Sequence, residues 1–578
     1  MQTDSLISIL TALLLASLLI ATGYLLLNRA LQNWDKYPLS LRLSASYFIG
    51  IAQFLSIYRT ASYMTEMPQL SAYAAIGLSI YFVVLLNRTL YQVIFEICRV
   101  SSIYTLILTF FVLGIFLFLF WMPRDTLGDQ PFSTVASLHS VRYAWISNYI
   151  SVCQHIPILG QNIGQALLSH ATGTLFKEAP FVFMYAWLVM SVSGLCVLIY
   201  GLLRLYISNK IFIVISLAII MLGNTALSLT HVVVIDSWSP FIINGYPDTV
   251  IGVASIFLIL QLIVAAQSEQ SIVRRRYIWL TTVFLLLQNF ISAPQNILFI
   301  FALTPVLFWH TRYVLKNKKF ILYWTSAMLI ATAVSLPQGG MLTPAKWQDK
   351  IDYAGIMSAA GRKVSTAGVD DARTKVAVVP GYTFFQSNYF TQWKSGQEPL
   401  LNEGKRHLES VDKNWTNIFW VFEQLLMTSL RVLFWPLLGL LSLIWLIKKH
   451  SFSKTIVNCV RPDPSVNMLA VVGCLVFLMG FVVCFSVSLN DYKWELSRFM
   501  IPGIILGLFC LCISLNTYLS GKYYSTSFSV ILCCTIILGP LIQITGQIFF
   551  NAPVNNVLLN VFNGSGPDVG HLSCRKLH

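Results

Sequence analysis

The chain reads as a series of long, nearly uncharged apolar runs broken by shorter polar stretches. Examples are "LISILTALLLASLLIATGYLLL" near the start and "TLILTFFVLGIFLFLFW" further on. A helix needs about 20 apolar residues to span the hydrocarbon of a bilayer. Runs of this kind begin near Leu6, Ala45, Leu70, Tyr104, Pro180, Ile211, Asp248, Tyr277, Pro294, Phe320, Leu430, Met468, Phe499 and Phe528. The pattern predicts an all-α polytopic membrane protein with about fourteen transmembrane helices. Between Arg276 and Arg312 the apolar run is too long for one span, and "SAPQN" (Ser292 to Asn296) interrupts it with a Pro-containing turn signal. A tight helical hairpin is expected there. The rival is one long, kinked helix, which would invert everything downstream. The first run lacks a basic n-region and a small-residue cleavage site, which marks a retained helix rather than a signal peptide.

Composition agrees with this pattern. Of 578 residues, 56% are hydrophobic and 11% charged, against roughly 25% charged in a soluble globular chain. The net charge of +15 does not imply nucleic acid, because no solvated basic domain carries it. The basic residues sit in short breaks between runs, where they orient helices in a membrane. One set of breaks holds Arg29, Lys36 and Arg42; Arg88 and Arg99; Arg204 and Lys210; Arg274, Arg275 and Arg276; Arg312, Lys316, Lys318 and Lys319; and Lys448, Lys449 and Lys454, with almost no acids. The opposite set holds nearly all the Asp and Glu and both long loops. Short basic loops belong on the cytoplasmic side, so the long loops are expected outside, with the N-terminus. The cysteines show no metal spacing. Most (Cys474, Cys484, Cys510, Cys512, Cys533, Cys534) lie inside apolar runs, where they act as small apolar residues.

Two polar segments are too long to be connectors, since loops beyond about 12–15 residues are usually functional or disordered. The first covers 122–179. Within it, "SLHSVRYAWISNYISV" has helical spacing, with Leu138, Tyr143, Ile146 and Ile150 on one face and His139 and Arg142 together on the other. This fits a helix lying on the membrane, apolar face down. "IPILGQNIGQALLSH" follows with a Pro turn and a Gly-rich bend carrying Gln161 and Asn162. Asp125 and Asp129 precede both pieces; a carboxylate there suits sugar binding or base chemistry, or it is a solvated loop residue. The second long loop, 337–417, contains the alternating "KVAVVPGYTFF" and is expected to form a small, partly β extracytoplasmic domain.

Three shorter outer clusters are further candidates. "HVVVIDSWSPFIINGYPDTV" carries Asp236 and Asp248; Asp248 begins a helix, where a carboxylate also suits the N-terminal dipole as a plain cap. "NDYKWELSRFMIPG" carries Lys493, Glu495 and Arg498, fit either to clamp a phosphate or to serve with Trp494 as an interfacial belt. "QNFISAPQN" offers Gln288, Asn289, Gln295 and Asn296, amides suited to carbohydrate hydroxyls or to hydrogen bonds between helices. Glu423 and Arg431, on the approach to the Leu430 run, share roughly one face and are a candidate interfacial ion pair. No nucleotide-binding Gly-rich loop, zinc motif or nucleophile elbow is present.

A core helix from Tyr104, a long outer loop with an early acid and two amphipathic pieces, further spans, and then a second large outer loop together resemble the GT-C superfamily of membrane glycosyltransferases. "HSVRYAWISNYI…IPILGQNIGQ" is similar to an acid-x-x-Arg-Tyr-Ala … Pro segment of several bacterial members, except that His139 stands where the acid is expected. The likeness covers about residues 104–420. It divides the chain into N-terminal helices (1–103), a GT-C-like core (104–336), the extracytoplasmic loop domain (337–417) and C-terminal helices with an outer tail (418–578).

The resemblance implies inverting transfer of a hexose or pentose from a polyprenyl-phosphate donor to a glycan, lipid or protein acceptor, outside the cytoplasm, in a bacterial inner membrane. Asp129, or else Asp125 or His139, would be catalytic. Arg142, Gln161, Asn162, Asp236, Asp248, Lys493, Glu495 and Arg498 would bind substrate. No cofactor is required; a divalent metal is compatible, although no ligand set is evident. A polysaccharide polymerase or ligase, and a lipid or solute transporter or flippase, are the alternative functions.

Overall fold

The computed structural model describes residues 2–31, 34, 37–65, 68–85, 180–222, 247–268, 271–291, 293–310, 318–335, 377–378, 438–442, 471–476, 478–479, 487–488 and 501–520. These form α1 (Gln2–Ala30), α2 (Leu39–Thr65), α3 (Pro68–Leu85), α4 (Pro180–Tyr206), α5 (Lys210–Leu222), α6 (Pro247–Ser268), α7 (Ser271–Ile291), α8 (Ala293–His310), α9 (Lys318–Ser335) and α10 (Ile501–Ser520). Helical stretches 438–442 and 471–476 fall within the runs that begin near Leu430 and Met468. The runs expected from Tyr104 and Phe528 lie outside the described residues. The described chain is thus almost entirely helical. Its one sheet is a single pair, β1 (Ala377–Val378) antiparallel to β2 (Val487–Ser488). β1 falls inside the alternating stretch of the second long loop.

Local sequence explains where the helices begin. Pro68, Pro180 and Pro247 occupy the first positions of α3, α4 and α6, where a missing N–H costs nothing. Asn209 caps α5, its Oδ1 accepting from the Ile211 and Phe212 amides at 3.0 and 3.3 Å. Two helices start ahead of their apolar runs, α2 at Leu39 and α7 at Ser271. Hydropathy marks only the apolar part of a helix, and polar turns such as "SIVRRR" continue the same backbone hydrogen bonding.

The tightest packing joins α1 to α2. A Cβ on Gly23 would run into the Ser46 carbonyl, and one on Gly50 into the Leu19 carbonyl, so the two backbones touch. As the position rises in α1 its partner in α2 falls, which makes the pair antiparallel. α4 then runs antiparallel to α2: Gly201 lies against the Leu41 backbone, Gly194 against the Tyr47 and Phe48 rings, and the Tyr47 hydroxyl is 3.4 Å from the Ser191 hydroxyl.

The region after Arg276 is a hairpin. The end of α7 meets the end of α9 through Asn289 Nδ2 donating to Ser335 Oγ at 3.1 Å, and these two helices pack side by side. α8 runs the other way along α9, with Trp324 Nε1 3.5 Å from Thr304 Oγ1 and Met328 Sδ 3.8 Å from the same hydroxyl. A single long helix from α7 into α8 cannot satisfy both sets of contacts.

These directions define two ends. At one end α1, α4, α6 and α8 finish and α2, α5, α7 and α9 begin. Every described basic side chain (Arg29, Arg42, Arg204, Lys210, Arg276) lies there, and no acidic side chain is among those described. We call it the basic end. α3 turns back along α2, with Thr65 and Ser71 hydroxyls 3.1 Å apart at the turn, so Leu85 reaches the basic end while Pro180 starts at the far end.

Two helices, α3 and α9, carry strongly apolar outer faces, and α9 also buries Trp324. On α3 the buried residues are Ser71, Ala75 and Ser79, and the exposed ones include Tyr73, Leu78, Ile80, Tyr81, Val84 and Leu85. On α9, Ala327, Ala331 and Ser335 face inward while Leu322, Leu329 and Ile330 face out. Several buried hydroxyls are absorbed by their own helices: Ser46, Ser79, Ser255, Thr281 and Thr282 each donate to the carbonyl four residues back. Among the described residues, Leu10–Ala30 is long and apolar enough to cross a bilayer by length and composition.

Gly23→Leu should destabilise the purified protein, since overpacking a closed contact costs about 1–3 kcal/mol or more. Gly77→Ala, where a Cβ meets nothing within 4 Å, should be neutral or slightly stabilising, by up to about 1 kcal/mol. Thermal unfolding midpoints of the two variants measure the contrast.

Candidate functional site

The far end carries what the structure describes of the candidate chemistry. α6 and α8 both begin here and α7 and α9 both finish here, so their polar terminal turns share one rim. Helix N-termini favour negative charge, and those of α6 and α8 point to this end. Pro247 occupies the first helical position and Asp248 the second. Asp248 therefore lies inside the first turn of α6.

Gln288 and Asn289 close the rim from below. Gln288 is fully buried, and its Nε2 donates to the Gly252 carbonyl, which ties the last turn of α7 to the start of α6 just below Asp248. Its Oε1 is buried without a hydrogen-bond partner. Asn289 is buried and donates to Ser335 Oγ at 3.1 Å; Ser335 passes its own proton to the Thr332 carbonyl at 3.1 Å. Of the two roles open to these amides in sequence, the structure assigns interhelical bonding. Gln295 and Asn296 lie in the first turn of α8.

Asp125, Asp129, His139, Arg142, Gln161, Asn162, Asp236, Lys493, Glu495 and Arg498 lie outside the described residues, as do Glu423 and Arg431. Their chain connections nonetheless bear on the rim. Pro180, which follows the first long loop, Pro247, which follows the Asp236 segment, and Ser335, which precedes the second long loop, all stand at the far end. β2 immediately precedes the segment of Lys493, Glu495 and Arg498, and its pairing with β1 joins that segment to the second long loop. Among the described residues no group of three or more His, Cys, Asp or Glu is placed to hold a metal ion.

The opposite end holds polar groups that the sequence reading passed over. Arg42, counted there as a loop cation, is buried. Its Nε donates to the Tyr37 carbonyl at 3.1 Å and its Nη1 to the Tyr24 hydroxyl at 3.0 Å. Gln261 Nε2 donates to the Tyr206 hydroxyl at 3.0 Å. No pattern in the sequence pairs these residues; only the crossing of α1–α2 with α4 and α6 does.

No protein-family model matches the chain. No curated protein matches it either. Its functional reading therefore rests on the residues and their placement.

The Asn289–Ser335 bond is expected to couple α7 to α9 by about 0.6 kcal/mol and by no more than about 1.7 kcal/mol, as side-chain bonds between packed apolar helices do. A double-mutant cycle of Asn289→Ala and Ser335→Ala, read by unfolding in mild detergent, measures it; additive effects would remove the coupling.

Proposed function

We propose that the chain is an integral membrane protein of about fourteen spans that transfers a sugar from a polyprenyl-phosphate donor on the extracytoplasmic face. The observation that carries the membrane reading is the apolar outer surface of α3 and α9. Large apolar side chains project outward and small residues line the contacts, an arrangement that water penalises and lipid does not. The basic end is then cytoplasmic, and the far end, with both long loops, faces out.

Three features support transfer chemistry over transport. The first is the likeness of the 104–420 segment to GT-C enzymes. The second is the collection at the far end of the chain points that lead to and from the candidate residues. The third is charge: within the described helices the one buried charge is Arg42, at the start of α2, whereas transporters use ionisable residues near the midplane.

In the proposed reaction the acceptor hydroxyl oxygen attacks the anomeric carbon and the bond from that carbon to the lipid phosphate oxygen breaks. The Asp129 carboxylate takes the hydroxyl proton. Arg142, with Arg498 or Lys493, neutralises the phosphate that leaves. The activated donor supplies the energy, so no nucleotide or redox group enters. Attack opposite the leaving phosphate inverts the anomeric centre. Gln161, Asn162, Asp236, Asp248 and Glu495 hold the sugar and acceptor hydroxyls.

Asp129→Asn should abolish sugar transfer from a polyprenyl-phosphate donor while membrane insertion and thermal stability stay at wild-type values; wild-type turnover would remove Asp129 from the mechanism. In a background without native cysteines, a cysteine at position 129 should react with an impermeant maleimide from outside. One at position 210 should react only after permeabilisation. The reverse labelling would overturn the topology.

A further inference from the structure

α3 packs on α1 and α2, and its other side is open. Tyr73, Leu78, Tyr81 and Val84 are exposed there, and so are the small residues Ala74 and Gly77. Three observations bear on what covers this face. The first is parity. α3 ends at the basic end with Leu85 and α4 begins at the far end with Pro180, so the chain between them passes from one end to the other an odd number of times. That stretch lies outside the described residues, but its sequence holds one uncharged run long enough to cross, between Arg99 and Arg124, with its apolar part at 104–121. The second is reach. The link from Leu85 to this run carries Arg88, Glu96 and Arg99, charges that hold it at the basic end. Its shortness starts the run near α3, and elements joined by short connections are usually neighbours. The third is depth. Gly114 stands ten residues past Tyr104, and Ala74 eleven residues before Leu85; both are therefore roughly 15 Å in from the basic end at the helical rise.

We infer that segment 104–121 of this same chain covers the outer face of α3, running antiparallel to it, with Gly114 crossing at Ala74. The contact uses the device already present at Gly23 with Gly50 and at Gly201 with Leu41, where a small residue lets two backbones approach in an apolar setting. Leu78 and Tyr81 follow Ala74 at helical spacing and extend the contact toward the basic end. At the other end the run emerges beside the α2–α3 turn, between Thr65 and Pro68. The first long loop, with Asp125 and Asp129, therefore starts over that turn. The inference rests on the membrane placement proposed above and is independent of sugar transfer.

The test uses the full chain without native cysteines, in membranes treated with copper phenanthroline. Ala74→Cys combined with Gly114→Cys should form a disulfide within the monomer in most molecules, read as the loss of both maleimide-reactive thiols after denaturation and their return on reduction. Leu329→Cys on the outer face of α9, combined with Gly114→Cys, should keep both thiols. Thermal unfolding midpoints of the reduced variants in mild detergent report whether they remain folded. Should the first pair unfold the protein, Gly77→Cys with Phe111→Cys, one turn along the same crossing, decides in its place.

A folded pair at 74 and 114 that keeps both thiols would overturn the contact and leave the face to lipid. Covalent dimers from Ala74→Cys alone would assign the face to a second copy of the chain, and a disulfide between positions 329 and 114 would move the segment to α9; either result overturns the inference. Labelling of position 129 from the cytoplasmic side would instead refute the membrane placement, a result distinct from a correctly oriented protein whose pair stays reduced.

Discussion

The contact on which the rest of the arrangement depends is the seam where α1 and α2 meet backbone to backbone at Gly23 and Gly50. On the proposed membrane placement, two apolar helices gain little by burying leucines against each other, because the surroundings are equally apolar. Close approach is what rewards association, through dispersion contacts that only small residues permit. The same reasoning extends outward from the seam. Gly194 and Gly201 bring α4 onto α2, Ser71, Ala75 and Ser79 bring α3 in, and Ala327, Ala331 and Ser335 set α9 against the bundle. Large side chains are left exposed on α3 and α9, while others, such as Phe48, Phe54, Phe257, Phe284 and Phe299, fill the interior.

This economy governs the polar groups as well. A hydroxyl that donates to its own helix, as Ser255 does to Ile251, leaves no donor unmet in an apolar setting. Several side chains that reach across helices sit near the ends: Asn289 with Ser335, Gln288 with Gly252, Gln261 with Tyr206, and Arg42 with Tyr24. Others lie further in, Tyr47 with Ser191 and Trp324 with Thr304, so packing and a few polar bonds together fix the register.

Much of this was legible in the sequence because helix number and direction depend on simple periodic quantities. Apolar run lengths located the described helices, and "SAPQN" marked the α7–α8 turn because a proline after an amide-rich turn disfavours a continuous helix. The charge bias assigned Arg29, Arg204, Lys210 and Arg276 to one side, and helix packing independently gathers them at one end. What the sequence left open depends on tertiary neighbours. Whether Gln288 faces a ligand or a neighbouring carbonyl is decided by Gly252, a residue on another helix. The sequence leaves Asp248 open between a helix cap and a binding role; α6 begins one residue before it, at Pro247. Arg42 counts as a loop cation in any tally of charge, and its burial follows only from where Tyr24 and Tyr37 stand.

The two ends differ in a way that follows from what each has in excess. The basic end carries the described cations, Arg29, Arg42, Arg204, Lys210 and Arg276, on or beside the connections between helices. The far end receives the long segments and carries helix N-termini, an acidic first turn on α6 and amides already committed to holding the rim. For the proposed reaction, the chain points gathered at this end are where a nucleophile and a departing phosphate would be held in line. On the proposed reading, Gln288 and Asn289 contribute as positioning residues: by fixing α7 to α6 and α9 they hold the turn that carries Asp248.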